Sequence, residues 1–286
     1  MARLTIATCQ FVIEPAVEPN RAAVERLMRS ARRRGARLVH FSEACVSGYL
    51  GVEVDSGDRI DWDAVRGAME SIARLAAELE LWVVIGCNHR LTGSHRPHNS
   101  LYVIDPSGRI VDRYDKMFCT GADCGDGDLK HYSPGSAFIT FDVDGVRCGL
   151  LICHDYRYPE LFREYKRRGV ELMLVSFHNA GMTADRDAHY LMSVPVTLQA
   201  AAASNFFAVS ATNSARRYAW PSFVVDQEGW VIDRAPRHRA AVLVNTIDTE
   251  AKLYDASAYW RDRCLSGTYH SGDVITDPRS AVRSEL

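Results

Sequence analysis

Two stretches of this chain carry the same order of elements, and that repetition restricts the fold more than any other feature. In the first, residues 3 to 9 have the apolar run of a strand. Asn20 is placed to cap a helix to about Arg34, Gly35 to stop it, and Arg37 to Phe41 reads as the next strand. A helix at about Ala64 to Glu80 carries Val65, Met69, Ile72, Ala76 and Leu79 in helical register. Strands follow at 81 to 86, 100 to 104 and 109 to 114, with Asp105-Pro106-Ser107-Gly108 as the turn between the last two.

The second stretch repeats this plan. It predicts strand Val146 to Ile152, helix Pro159 to Arg168, strand Val170 to Ser176 and helix Asp187 to Ser204, then strands at 206 to 211, 222 to 226, 230 to 234 and 240 to 247. Alternating strands and helices imply sheets covered by helices, and paired terminal strands make those sheets partly antiparallel. Two sheets face to face with helices outside satisfy both halves. No Pro/Gly/Ser-rich linker divides them, so residues 1 to 250 are expected to form one domain. Residues 251 to 286, short of periodicity, read as a tail that packs on a partner subunit or stays loose.

Composition removes several classes of function. With 47% hydrophobic and 24% charged residues the chain is expected to bury a core. A net charge of -2 offers nothing global to nucleic acid or an anionic membrane. The basic run Arg32 to Arg34 lies on a helix whose Val24, Leu27, Met28 and Ala31 face inward, so it reads as a solvated face. No window approaches the ~20 apolar residues of a membrane helix, and Met1 to Phe11 lacks a leader's basic start. A cytoplasmic location is expected. The eight cysteines sit mostly in strand-like segments and are expected to be free thiols.

Three segments share one logic, an apolar strand ending in a reactive side chain. "RLVHFSEACVSGY" places Glu43 just past a strand, "RIVDRYDKMF" does the same for Lys116, and "GLLICHD" ends in Cys153. Ligand sites in such sheets form at the carboxyl ends of strands. A cysteine needs a base to become a thiolate, and a carboxylate beside an ammonium in a dry site is suited to take its proton. Lys116 and the backbone N–H of His154 would then face the oxygen of an attacked carbonyl. Taken singly, Glu43 and Lys116 also read as solvated loop residues and Cys153 as core; their combination favours chemistry.

The segments "FSEACVSGY", "YDKMF" and "CHDYRYPE", in this order and at these separations, resemble the three signatures of the nitrilase superfamily of carbon-nitrogen hydrolases. The resemblance runs from about residue 3 to 250. It implies a four-layer alpha-beta-beta-alpha sandwich with an internal pseudo-twofold repeat and a catalytic triad of Glu43, Lys116 and Cys153, with His154 supplying an oxyanion N–H. It further implies hydrolysis through a cysteine thioester with release of ammonia, no cofactor and no metal, and homodimers or larger assemblies paired across the helices beginning near Pro159 and Asp187.

Members often carry a second Glu before a "YFxPG"-like segment. In "DGDLKHYSPG" the best match is Asp128, one methylene shorter, with Asp126 as an alternative. A proline common before the first Glu is Ser42 here. Cys153-His154-Asp155 is similar to the Cys-x-Asp of amidases and carbamoylases rather than the Cys-Trp-Glu of nitrilases, so an amide or N-carbamoyl substrate is expected ahead of a nitrile. Arg157 matches a position that contacts a substrate carboxylate in carbamoylases; a structural ion pair with Glu160 or Asp155 is the other reading. Phe177, His178 and Asn179 would emerge beside Cys153 as a substrate wall, or satisfy loop backbone groups, and Tyr49 lines the pocket or packs.

Rival classes remain. Cys119, Cys124 and His131 form C-x4-C-x6-H, with Cys264 or His270 as a fourth zinc ligand, although zinc sites favour tighter paired spacings. A catalytically silent binding member and an acyltransferase passing the acyl group to an amine are the others. No phosphate loop or dinucleotide fingerprint is present.

Overall fold

Strands buried on both faces read as nearly continuous apolar runs, which is why the segments starting at Arg3 and Val146 alternate so little. In the computed structural model, which describes residues 2–179 and 183–284, the elements of the first half are β1 (Arg3–Gln10), α1 (Val17–Arg33), β2 (Leu38–His40), α2 (Trp62–Leu79), β3 (Trp82–His89), β4 (His98–Ile104) and β5 (Ile110–Asp115). Then come β6 (Thr140–Val143), β7 (Val146–Ile152), α3 (Pro159–Arg167), β8 (Leu172–Ser176), α4 (Ala184–Asn205), β9 (Ala208–Thr212), β10 (Phe223–Val225), β11 (Val231–Arg234) and β12 (Ala241–Asp248). Two short helices, α5 (Arg261–Leu265) and α6 (Pro278–Ala281), follow.

The strands form two six-stranded sheets, ordered β12-β1-β2-β3-β4-β5 and β11-β10-β9-β8-β7-β6. In each, three parallel strands (β1, β2, β3 and β7, β8, β9) are flanked by antiparallel ones. The internal repeat is therefore a repeat of pairing as well as of order.

Two strands depart from the sequence expectation. The last strand of the second half, β12, joins the first sheet, running antiparallel to β1 from Arg3↔Asp248 to Gln10↔Ala241. The second sheet gains its sixth strand from β6, a four-residue segment too short to show a period. Each half thus lends or borrows one edge strand, which ties the two sheets by chain connection as well as by packing.

Helices α1 and α2 cover the outer face of the first sheet. Val24, Met28, Val65 and Ile72 pack with Val83, Ile85 and Cys87. On the other side Leu4, Ile6, Val84 and Leu101 face the second sheet, whose far side is covered by Leu161, Phe162 and Tyr165 of α3 and Val194 and Leu198 of α4. This gives the four layers. Each fully buried aliphatic or phenyl side chain contributes roughly 1.5–3 kcal/mol.

Helix α1 begins at Val17, three residues before the expected cap. Asn20 is buried instead: its Oδ1 accepts from the Glu14 N–H at 2.8 Å, and its Nδ2 donates to Glu14 O at 2.8 Å and Val46 O at 3.2 Å. It pins the helix start to the loop that follows Glu43. The stop at Gly35 is as read, with a φ of 83° there.

A polar row crosses between the sheets. Thr8 Oγ1 lies 2.7 Å from Ser210 Oγ, His40 Nδ1 2.9 Å from the same hydroxyl, and His40 Nε2 2.8 Å from Ser176 Oγ. Burial pushes His40 down to about 3, so its ring is neutral.

Beyond β12 the chain lies against the ends of α3 and α4. Buried Arg261 pairs with Asp255 and sits 5.5 Å over the Phe206 ring, while Arg167 Nε donates to Leu265 O at 2.9 Å. No helix among the described residues is long and apolar enough to cross a membrane.

Candidate active site

Three strand ends converge at one end of the sandwich. Lys116 follows β5, where its N–H donates to Asn99 O at 2.9 Å and its carbonyl accepts from Gly135 N at 2.8 Å. Its side chain is buried, with Nζ 3.0 Å from Glu43 Oε1 and 2.7 Å from Asp128 Oδ2. Burial alone would pull the ammonium down, but Glu43 and its neighbours hold it well above its ordinary value, so it stays charged.

Of the two acidic candidates in the 126–135 segment, the structure brings Asp128 to the lysine. Asp126 instead accepts from Gly127 N at 2.8 Å. Asp128 also receives Tyr49 OH at 2.5 Å and Thr120 N at 3.1 Å. Its burial would raise the carboxyl; the Lys116 ammonium and these donors outweigh that and hold it below the usual carboxylate range. Tyr49 therefore lines the cavity and is tied to Asp128 at once.

Glu43 is fully buried and held by three donors, Lys116 among them. Asn99 Nδ2 reaches Oε1 at 2.7 Å and the His178 N–H reaches Oε2 at 2.7 Å. The chain reaches this place because β3 has a glycine beneath it. A Cβ on Gly86 would sit 2.2 Å from Ser42 O and 2.5 Å from Ala44 N.

Cys153 ends β7 and opens a 3-10 turn, Cys153–Arg157, with φ of 44°, a left-handed conformation uncommon for a residue with a side chain. Asp155 holds the turn: its carboxylate accepts from Ile152 N at 3.0 Å, Phe118 N at 2.8 Å and Tyr114 OH at 2.8 Å. Tyr114 and Phe118 flank Lys116, so Asp155 sets the cysteine turn against the lysine strand. Burial pushes Asp155 up to about 6 despite these donors. Burial, then the negative charge of Glu43, raises the Cys153 thiol well above its ordinary value, with Lys116 opposing. The resting thiol is protonated. The His154 N–H lies in the first turn of that short helix, where amides lack an intrahelical partner.

Tyr49, Lys116, Asp128, Cys153 and His154 border a cavity of about 300 Å³, walled also by Tyr156, Arg157, His178, Asn179, Tyr190 and Trp220, with Glu43 buried behind Lys116. The exposed Arg157 guanidinium lies 5.0 Å over the Tyr156 ring and 5.7 Å over the Tyr190 ring. Asp155, one of its two expected ion-pair partners, is instead taken up by Ile152 N, Phe118 N and Tyr114 OH. Asn179 lines the cavity while its Nδ2 donates to Tyr218 O at 2.6 Å. Phe177 does not line it; its buried ring stands behind the wall, edge-on to Tyr156 and Trp220 at 5.4 and 5.3 Å.

Sequence reasoning missed Asn99, Glu53, Tyr190 and Trp220. Asn99 lies between His98 and Ser100 in the polar start of β4, where nothing local sets it apart. The cysteine and histidine set weighed for zinc is dispersed, with Cys119 half-buried and Cys124 and Cys264 exposed. No three His, Cys, Asp or Glu among the described residues are placed to hold a metal ion.

A model of the carbon-nitrogen hydrolase family matches residues 5–253. The chain belongs to that family. Among the family's curated members it is similar to the omega-amidase NIT2 of Bos taurus, 26% identical over 180 residues, 61% of this chain and 63% of that protein. The match to this relative thus spans less than two thirds of its length. The omega-amidase NIT2 of Mus musculus is 25% identical over 260 residues, 87% of this chain and 90% of that protein. Among solved structures, the Nesterenkonia AN1 amidase from the nitrilase superfamily aligns with a TM-score of 0.76 at 20% identity, covering 92% of this chain and 95% of its own. The C. elegans NitFhit protein gives 0.78 at 21% identity, covering 96% and 67%. These likenesses show that the family's sandwich fold is shared.

Proposed function

We propose that this protein hydrolyses the carbon-nitrogen bond of a small amide or N-carbamoyl compound through a thioester on Cys153. The observation that carries the reading is the meeting of Lys116, Asp128 and Cys153 at one cavity, with Glu43 on Lys116 just behind its wall. Glu43 takes the thiol proton; the proton stays within the cluster of Glu43, Asp128, Lys116 and Cys153, so its net charge of one negative is unchanged and only moves from carboxylate to sulfur. The thiolate attacks the carbonyl carbon, and the C=O pair moves onto oxygen. Lys116 has three N–H donors; Glu43 and Asp128 take two, and the third makes a long 3.4 Å contact with Tyr49 OH, which the oxyanion displaces as it accepts from Lys116 and the His154 N–H. Glu43 returns its proton to the nitrogen as the C–N bond breaks, releasing ammonia or an amine. Water then attacks the thioester with Glu43 again as base, giving the acid and the free thiol.

The Cys-His-Asp sequence and the omega-amidase relatives favour amides over nitriles, and one solved Nesterenkonia amidase structure is a complex with butyramide. Arg157, whose guanidinium has no carboxylate partner among the described residues, is the group we assign to an anionic end of the substrate. We also assign the outer faces of α3 and α4, where Met192 and Val196 are 58% and 55% exposed, to pairing with a second copy. Ammonia release across primary amides, N-carbamoyl amino acids and nitriles tests the reaction. Turnover of an amide or carbamoyl compound supports it, and turnover of nitriles alone overturns the substrate class.

A further inference from the structure

One residue of β4 touches both the base and the lysine of the proposed reaction without taking part in it. Asn99 is fully buried. Its Nδ2 donates to Glu43 Oε1 at 2.7 Å, and its carbonyl accepts from the Lys116 N–H at 2.9 Å. A carboxylate only accepts, so the amide must turn its nitrogen, not its oxygen, to Glu43. Directly opposite on β3 stands Asn88, whose Nδ2 donates to Gly48 O at 3.0 Å and whose N–H donates to Ser47 Oγ at 2.9 Å. The two opposed asparagines seat the loop after β2 twice, Asn88 at Ser47 and Gly48 and Asn99 at the Glu43 carboxylate itself.

The donors divide unequally between the two carboxylate oxygens. Oε1 receives Asn99 Nδ2 and Lys116 Nζ, at 2.7 and 3.0 Å, which fills both of its lone pairs. Oε2 receives the His178 N–H at 2.7 Å and, among the described residues, no other nitrogen donor, so one lone pair stays open. His178 is itself fixed, since its ring Nε2 lies 2.9 Å from the buried Glu53 carboxylate. The Cys153 thiol is a hydrogen-bond partner of the Glu43 carboxylate, and the open lone pair of Oε2 is where its proton can land.

We propose that Asn99 is a positioning residue: by filling Oε1 together with Lys116, it leaves Oε2 of Glu43 as the single site for the Cys153 proton. The inference deepens the thioester reading above and rests on Glu43 being the base there. A hydrogen bond to a buried carboxylate counts for a factor of about 10 to 100 in an equilibrium constant. Without that donor the carboxylate can turn and take the proton on Oε1, and the geometry of the transfer is lost.

Iodoacetamide reads this proton transfer without turnover. Its CH2 carbon bonds to the Cys153 sulfur as the C–I bond breaks, iodide leaves with the electron pair, and the thiol proton passes to Glu43. Followed at Cys153 by peptide mass spectrometry, alkylation is expected to slow about 10- to 100-fold in Asn99→Leu, and kcat for any hydrolysed amide to fall with it at little change in KM. Asn99→Asp restores the donor while the introduced carboxyl keeps its proton, which the Lys116 and His178 donors on Glu43 favour. Relative to wild type at each pH, it should alkylate near the wild-type rate at about pH 6 and fall to the Asn99→Leu rate toward about pH 9, a dependence that a packing role would not produce. Wild-type alkylation in Asn99→Leu overturns the proposal. So does a loss in Asn99→Asp that is the same at every pH, and this isosteric variant decides the matter if Asn99→Leu does not fold. Glu43→Gln separates the two levels: if it alkylates at the wild-type rate, Glu43 is not the base and the proposal falls with the reading; if it is slow while both Asn99 variants are fast, the proposal falls alone. If no amide is hydrolysed while alkylation still follows Asn99, the substrate class fails and the role of Asn99 stands.

Discussion

Glu43 and His178 occupy corresponding places in the two halves, each just past the middle parallel strand of its sheet, and they hold each other across the repeat. Glu43 N donates to Phe177 O at 3.3 Å, and His178 N donates to Glu43 Oε2 at 2.7 Å. The pair forms where the pseudo-twofold relation brings β2 and β8 face to face, directly above the row in which His40 meets Ser176. The same symmetry that doubles the fold therefore gives the buried carboxylate a backbone donor from the opposite half. One half supplies Glu43 and Lys116, and the other supplies Cys153, so the site exists only at their junction.

Gly86 tests the backbone approach that seats Glu43. In Gly86→Ala the methyl group would meet Ser42 O and Ala44 N at distances no packing tolerates. The variant is expected to lose about 3 kcal/mol of stability and nearly all activity. Denaturant unfolding together with ammonia release checks both, and a stable, active Gly86→Ala would refute the close approach.

Asp128→Asn leaves Lys116 with Glu43 as its sole charged partner. The tighter Lys116–Glu43 pair should make Glu43 a poorer base, and kcat is expected to fall about 10- to 100-fold with little change in KM. Steady-state kinetics on any hydrolysed amide decides this. An equal loss in Asp126→Asn would contradict the assignment of Asp128.

Buried Asp155 and His40 give stability opposite pH slopes. Asp155 titrates near 3.9 unfolded but about 6 folded, so the folded state binds the extra proton between these values. This group's contribution is fully present below about pH 4 and is lost as pH rises through 6, a change of about 3 kcal/mol. His40 titrates near 6.5 unfolded and about 3 folded, so here the unfolded state binds the extra proton and stability falls as pH drops below 6.5, by about 2 kcal/mol at pH 5. Compared with wild type over pH 4 to 7, His40→Gln should lose less stability on acidification and Asp155→Asn less on neutralisation. Parallel curves for all three proteins would contradict both assignments.

The segments that converge on the cavity were legible because each motif is local: an apolar strand followed at once by Glu43, Lys116 or Cys153. The layer order was legible for the same reason, since periodicity is read within a window. What escaped depends on partners far along the chain. That β12 pairs with β1 rather than with its own half is a contact between residues 3 and 248, and Asn99, Glu53 and Trp220 are recruited from loops and strands whose neighbours no window contains. Phe177 shows the limit at a single position: one residue along the chain separates a ring behind the wall from His178 on its surface. Asp155, read in the sequence as a class marker, is in the structure the brace between the cysteine turn and the lysine strand.

The central claim is that Cys153 carries the acyl group. Intact-protein mass spectrometry after rapid mixing with a turned-over amide, followed by peptide mapping, measures this most directly. An adduct of the acyl mass on Cys153, formed and discharged at rates consistent with kcat and absent together with all turnover in Cys153→Ala, is the expected result. Undiminished ammonia release from Cys153→Ala, or an acyl group mapped to any other residue, would contradict the account.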